Sequence, residues 1–266
     1  MLDFTLKKYK ELCGSIIHSG YRIVMVERYF SQSNLPDNFV ILRHDVDRKP
    51  GHAETMASIE NDMGIKSTYY FRKNSPVFKP KIIKHISQMG HEIGYHYEVL
   101  DKAKGDIKKA YLIFREELEM FRDIVDIKTV SMHGNPFTRW TNSDFWKKND
   151  LADFNLIGEA SFSTKNNNIL YFTDTGRNWD PLKYNIKDFI STNSKMINIK
   201  AQKTDDLIDL ISKSNSKFPL YLSVHPNRWN DNTLSWVLQF VEDYLVNQLK
   251  CVVRFLKPGI KNDGIH

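Results

Sequence analysis

The stretch Phe39-Val40-Ile41-Leu42-Arg43-His44-Asp45-Val46-Asp47 decides how the chain is to be read. Four consecutive apolar residues predict a buried strand, which passes without a break into alternating polar residues. In extended chain, side chains two apart share a face, so Asp45 and Asp47 point one way while His44 and Val46 point the other. Polar residues at the C-terminal ends of apolar strands mark the active-site face of parallel β/α folds. Two adjacent carboxylates raise each other's pKa unless a cation or a donor neutralises them. Two readings stay open at this point. One carboxylate holds a metal while the other is free as a base, or both cap the helix after Pro50 and pair with Arg43, Arg48 or Lys49.

Outward from this strand, the chain keeps a strand-then-helix rhythm. Ala53 to Met63 reads as a helix stopped at Gly64, Ser67 to Phe71 as a strand, and Lys81 to Met89 as a helix stopped at Gly90. Glu92 to Tyr97 follows as a strand. A helix from about Asp106 then carries Ile107, Tyr111, Phe114, Leu118 and Phe121 as a core stripe. Thr129 to His133, Ile169 to Thr173 and Leu220 to Val224 are further strands, and a last amphipathic helix uses Leu234, Val237, Leu238, Val241 and Leu245. The segment Trp140 to Asn168 has no period and reads as a loop or insertion. Buried strands alternating with amphipathic helices predict an α/β fold, a parallel β/α barrel with its sheet covered by helices and closed or nearly so, with residues 1–266 as one domain.

Four strands end alike: in Asp45 and Asp47, in His96, in His133-Gly134-Asn135-Pro136, and in His225-Pro226-Asn227. A single such histidine is ordinary core or loop chemistry; four ends of one kind predict a shared metal or acid/base site.

Composition excludes several alternatives. With 41% hydrophobic and 26% charged residues over 266 positions, the chain has a core's worth of apolar material and no disordered signature. The net charge of +6 is dispersed, and no basic stripe with interleaved aromatics points to nucleic acid. Two cysteines far apart, Cys13 and Cys251, suggest neither a disulfide framework nor a thiolate metal site. The early residues are charged and no apolar run is long enough to span a membrane, so a cytoplasmic location without membrane insertion is expected.

Arg43-His44-Asp45-Val46-Asp47 resembles the first motif of the NodB-type polysaccharide deacetylases, and Gly90-His91-Glu92-Ile93-Gly94-Tyr95-His96 resembles their second. His133 to Pro136 and Leu222 to His225 resemble the later motifs more loosely, so the likeness runs from about Val40 to about Pro226. The resemblance implies a distorted barrel of about seven β/α units. It also implies a divalent metal, zinc by default for Asp and His ligands, and hydrolysis of an N-acetyl group on an amino sugar or glycan precursor. Carried over, Asp45 is the general base, Asp47 and His96 are metal ligands, and His225 is the general acid.

The sequence departs from the family at one place. Where the second motif usually reads H-x-x-x-H, Leu100 stands four residues after His96. His133 is the preferred substitute third ligand and Glu98 the second choice; His44 and His91 read as packing or supporting residues. For the substrate, Arg72, Asn135, Arg177 and Trp179 are candidates. Arg177 is placed to hold an acidic or phosphorylated group and Trp179 to stack on a sugar ring, with a plain turn as the other reading of that loop. Three functions follow from these features: deacetylation of an amino sugar, hydrolysis of a cyclic or other non-peptide amide on the same fold, and glycan binding without turnover.

Overall fold

The computed structural model describes residues 2–32, 34–161, 169–187, 201–213 and 218–256. Among the described residues eight strands form one sheet in which every pairing is parallel. In chain order they are β1 (Arg22–Val24), β2 (Phe39–Val46), β3 (Thr68–Phe71), β4 (Glu92–Tyr97), β5 (Thr129–Met132), β6 (Gly158–Glu159), β7 (Leu170–Thr173) and β8 (Leu220–Val224). Across the sheet they run β6-β5-β4-β3-β2-β8-β7. The short β1 takes the first half of one edge of β2, opposite Phe39 to Ile41, and β3 takes the rest from Arg43 to Val46. Among the described residues β6 and β7 do not pair, so the sheet curls as a barrel left open on one side, as expected for a distorted (β/α)7 fold. Tyr221 Oη of β8 donates to the Ala160 carbonyl just beyond β6 at 3.2 Å, across the curl.

Alternation along the strands separates an interior from a helix-facing surface. Phe39 and Ile41 of β2 join Tyr70, Tyr171, Tyr221 and Ala160 inside the curl, and Arg43 and Asp45 continue that face toward the C-terminal end. Val40 and Leu42 pack outward with Tyr9, Leu12 and Ile16 of helix α1 (Leu6–His18) and with Leu207 and Ile211 of helix α8 (Thr204–Lys213). On the far side Tyr95 and Tyr97 of β4 meet Phe114, Leu118 and Phe121 of helix α6 (Ile107–Arg122), along the stripe that the sequence predicts. The glycine of the second motif is a packing requirement. A Cβ on Gly94 would lie 2.1 Å from the Tyr70 ring and 2.9 Å from the Thr129 carbonyl, so only glycine lets that ring cross β4.

His44, which points away from Asp45, and His91, which precedes β4, both serve the packing. His44 stacks on Tyr69 at 4.1 Å and places Nε2 3.0 Å from Glu60 Oε1 of helix α3 (Pro50–Asp62). His91 accepts from the Ser67 N–H through Nδ1 and donates through Nε2 to the Ala57 carbonyl. Burial would raise the Glu60 carboxyl, but His44, His91 and Ser67 outweigh it and bring it down to about 2. This buried network ties α3 to the sheet.

Two readings need correction. The segment from Trp140 is not structureless: it holds short 3-10 helices at Asn142–Lys147 and Ala152–Phe154 and then β6, while 162–168 lie outside the described residues. Phe145, Trp146 and Phe154 pack there against Phe114. Pieces this short leave no periodic signal. The last helix, α9 (Thr233–Leu256), is present but turned over: its apolar stripe faces outward and Gln239, Asp243 and Asn247 face the protein.

Candidate functional site

The four strand ends converge. One cavity at the C-terminal end of the sheet is lined by Asp45, Asp47, His96, His133 and His225 together with Arg228. β2 ends at Val46, and the Asp47 N–H bonds back to the Asp45 carbonyl at 3.1 Å. This tight turn leaves the two carboxylates in different surroundings, Asp45 buried among the strands and Asp47 more exposed to the cavity.

Asp47 faces three imidazoles. Its Oδ1 is 3.4 Å from His96 Nε2 and 3.7 Å from His133 Nε2, and its Oδ2 is 3.9 Å from His225 Nε2. Oδ1 is buried and no hydrogen bond satisfies it. Burial would raise the carboxyl, but His133, His96 and His225 hold it well below the usual carboxylate range. His96 gives its Nδ1 proton to the Ser131 carbonyl at 3.0 Å, which leaves Nε2 toward Asp47. Burial would lower the His96 imidazole, and Asp45 and Asp47 together raise it. Burial dominates at His133, with Asp47 pulling the other way, and takes it down to about 4. His133 is therefore a neutral imidazole at neutral pH.

Asp45 is gripped by its own strand. Arg43, two residues earlier on the same face, donates Nε to Oδ1 at 2.8 Å and Nη2 to Oδ2 at 2.7 Å, and Ser223 Oγ donates to Oδ2 at 3.4 Å. Burial would raise this carboxyl, but Arg43 and then His96 keep it lowered and ionised.

His225 is held by Asp174, the first residue after β7. Asp174 Oδ1 accepts from His225 Nδ1 at 2.6 Å and Oδ2 from the His225 N–H at 2.9 Å; Arg228 at 3.2 Å and Trp229 at 2.8 Å complete its shell. Asp174 is lowered, because His225 and Arg228 outweigh its burial. The Nδ1 contact turns His225 Nε2 to the cavity. Sequence reading names Arg43 only as one of three basic residues able to pair with the aspartates and gives Asp174 no role, although Asp174 obeys the same rule of polar residues at strand ends.

Position 100 does not face this cavity. Leu100 is buried in the helix-facing core, and its N–H bonds to Asn142 Oδ1 at 3.0 Å. Glu98 ion-pairs with Arg72, lies 3.4 Å from Lys102 Nζ, and presents Oε2 3.7 Å from His133 Nδ1, a buried nitrogen without a hydrogen bond. Glu98 thus stands behind His133 and apart from Asp47.

The substrate candidates fare differently. Trp179 is fully buried, packed with Phe4 and Trp229 and donating Nε1 to Thr204 Oγ1 at 3.0 Å, so it is a core residue with no face for a sugar ring. Arg177 does not line the cavity. It is spent on Asp243, at 3.0 Å, and on the rings of Trp236 and Phe4. Asn135 does not line the cavity, although Gly134 and Pro136 beside it do, and its Oδ1 accepts from the Phe137 N–H at 3.1 Å. Arg72 acts through Glu98.

Among the described residues no three His, Cys, Asp or Glu side chains stand in ready-made metal geometry. The donor set is nonetheless of the right chemistry: an ionised carboxylate oxygen without a hydrogen bond, a neutral His133, and a His96 whose remaining nitrogen faces that oxygen. Separations of 3.4 and 3.7 Å compare with the roughly 3.4 Å between neighbouring ligands in a tetrahedral site with bonds near 2.1 Å. The types of donor, rather than their present placement, suit a small divalent cation.

No protein-family model matches the chain, and no curated protein matches it in sequence. Among solved structures, PdaA of Bacillus subtilis, described as a family 4 carbohydrate esterase, is similar with a TM-score of 0.42 and 12% identity over 90% of this chain and 83% of that one. At that distance the likeness says nothing about the chemistry of this chain.

Proposed function

We infer that the protein is a metal-dependent hydrolase that cleaves a non-peptide carbon–nitrogen bond, removing an N-acetyl group from an amino sugar or glycan precursor. The observation that carries the reading is Asp47, lining a cavity and facing three imidazoles, with a second carboxylate, Asp45, lining the same cavity. The motif resemblance supplies the substrate class. Asp47, His96 and His133 would hold the cation, zinc by default, which when bound supplies Lewis acidity toward an amide carbonyl and toward water.

The chain's own groups divide the remaining work. Asp45, ionised at neutral pH and fixed in orientation by Arg43, accepts a proton at a carboxylate oxygen. His225, whose Nδ1 proton is given to Asp174, carries the transferable proton at Nε2 and delivers it to the departing nitrogen. Amines are poor leaving groups unless protonated, so a base and an acid lining one cavity match amide hydrolysis.

Elemental analysis of the purified protein, paired with acetate release from N-acetylated sugars and sugar nucleotides, tests this reading. A stoichiometric ion and released acetate are expected, and His133→Ala should lower ion occupancy. Protein that takes up no zinc, nickel, cobalt or manganese and binds sugars without turnover is a glycan-binding protein instead. An ion with turnover only on cyclic amides moves the substrate class.

A further inference from the structure

Helix α9 is amphipathic in the opposite sense from the other helices. Its inner face is polar. Lys49 Nζ donates to Gln239 at 3.1 Å, Arg177 pairs with Asp243 at 3.0 Å, and Asn247 donates to the Gly176 carbonyl at 3.0 Å. None of its apolar residues belongs to a core cluster of the described residues. Ten large apolar side chains from Leu234 to Phe255 are between 44% and 86% exposed. A helix of 24 residues, about 36 Å long, therefore shows one continuous apolar face to its surroundings.

We propose that this face is a homodimer interface, α9 packing on α9 of a second copy about a two-fold axis. Three features select that occupant. Leu234, Leu238, Val241, Leu245, Gln248, Val252 and Phe255 recur at alternating spacings of four and three, the seam of helices that pack along their length. The single polar seam position, Gln248, is the kind of residue that fixes register between two helices. The area is also sufficient. At about 150–200 Å2 for each fully exposed large side chain, the face offers roughly 1,000 Å2, against about 800 Å2 per partner in a standard interface. A typical monomer's largest apolar patch is only about 300–600 Å2.

A lipid surface suits the helix less well. Interfacial helices carry Lys and Arg on the polar face, whereas α9 has two acidic and two basic residues and spends its polar face on its own protein. Lys250 of α9 lines the cavity, so the dimer would brace one wall of the site from behind. The proposal does not depend on what the site does.

Sedimentation velocity of the full chain, from about micromolar to a few hundred micromolar, tests it. A species of twice 31.2 kDa is expected. Leu238→Glu with Leu245→Glu, at positions 58% and 57% exposed, should weaken association at least about a hundredfold with unchanged far-UV circular dichroism. Leu112→Glu, equally exposed on α6, should leave association unchanged. Wild-type hydrogen exchange keeps the idea testable if the double variant misfolds: α9 amides should lose protection as the protein is diluted. A monomer at every concentration overturns the proposal. So do a dimer that survives the double substitution with native circular dichroism, α9 protection that is independent of concentration, and monomer that co-sediments with phosphatidylserine vesicles through Leu238 and Leu245.

Discussion

Asp174 grips His225 with both carboxylate oxygens, one on the ring Nδ1 at 2.6 Å and the other on the backbone N–H at 2.9 Å. A residue so held has one ring orientation and one tautomer, with Nε2 toward the cavity. Asp174→Asn keeps the shape but offers a single acceptor oxygen to four donors. Turnover should fall by about a hundredfold or more while substrate KM changes little. Steady-state kinetics decide the point, and an equal rise in KM would show that Asp174 serves binding instead.

The Arg43–Asp45 pair is fully buried, so its removal by halves should be worse than its removal whole. Arg43→Met leaves a buried carboxylate without its two guanidinium hydrogen bonds and should cost about 3–5 kcal/mol. Adding Asp45→Asn should return part of that loss, measured by urea unfolding of both variants. Asp45→Asn alone should retain bound metal and lose about a hundredfold in turnover, as for a positioned base.

Leu100 gives a test of how the site departs from the resembling family. Because its side chain lies in the helix-facing core, Leu100→His would bury an imidazole among apolar residues without reaching Asp47. The variant should lose about 1–3 kcal/mol of stability with no gain in zinc affinity by competition titration. Tighter zinc binding would mean that the turn after β4 can swing a ligand into the cavity.

The strand-end rule made most of this site legible in advance. It placed Asp45, Asp47, His96, His133 and His225 around one cavity because a buried parallel strand delivers its next polar residue to the same end of the sheet. Arg43 was one of three basic residues able to pair with the aspartates, whereas Asp174 was invisible as a partner, since its contacts depend on which face and which neighbouring strand a side chain meets. Trp179 and Arg177 misled because a polar loop with a tryptophan looks alike whether the ring turns outward or into the core. Trp179→Ala should therefore cost about 3–5 kcal/mol in unfolding free energy, the scale of a lost core aromatic, and leave sugar binding by the remaining folded protein unchanged. The reversed face of α9 was equally hidden, because period alone does not say which side of a helix meets the protein.

Glu92, at the base of β4, offers a pH test away from the cavity. It is buried without a cation partner, accepting from Thr68 Oγ1 at 2.6 Å, from the Glu27 N–H at 2.9 Å and from Thr129 Oγ1. Burial outweighs these donors and raises the carboxyl to about 7, from 4.5. A folded-state pKa above the unfolded value means that the folded protein binds the proton more tightly. The stability Glu92 contributes is then fully present below about pH 4.5 and is lost as pH rises through about 7. Glu92→Gln mimics the protonated form: its amide oxygen can accept from Thr68 and Glu27, and its NH2 can donate to Thr129, whose hydroxyl then turns to Tyr70 Oη, 2.7 Å away. Relative to wild type, the variant should gain stability with rising pH, by an amount on the order of 3 kcal/mol between pH 4.5 and pH 8. Urea unfolding at the two pH values measures the difference, and a gain that is flat with pH would show that Glu92 stays ionised in the folded chain.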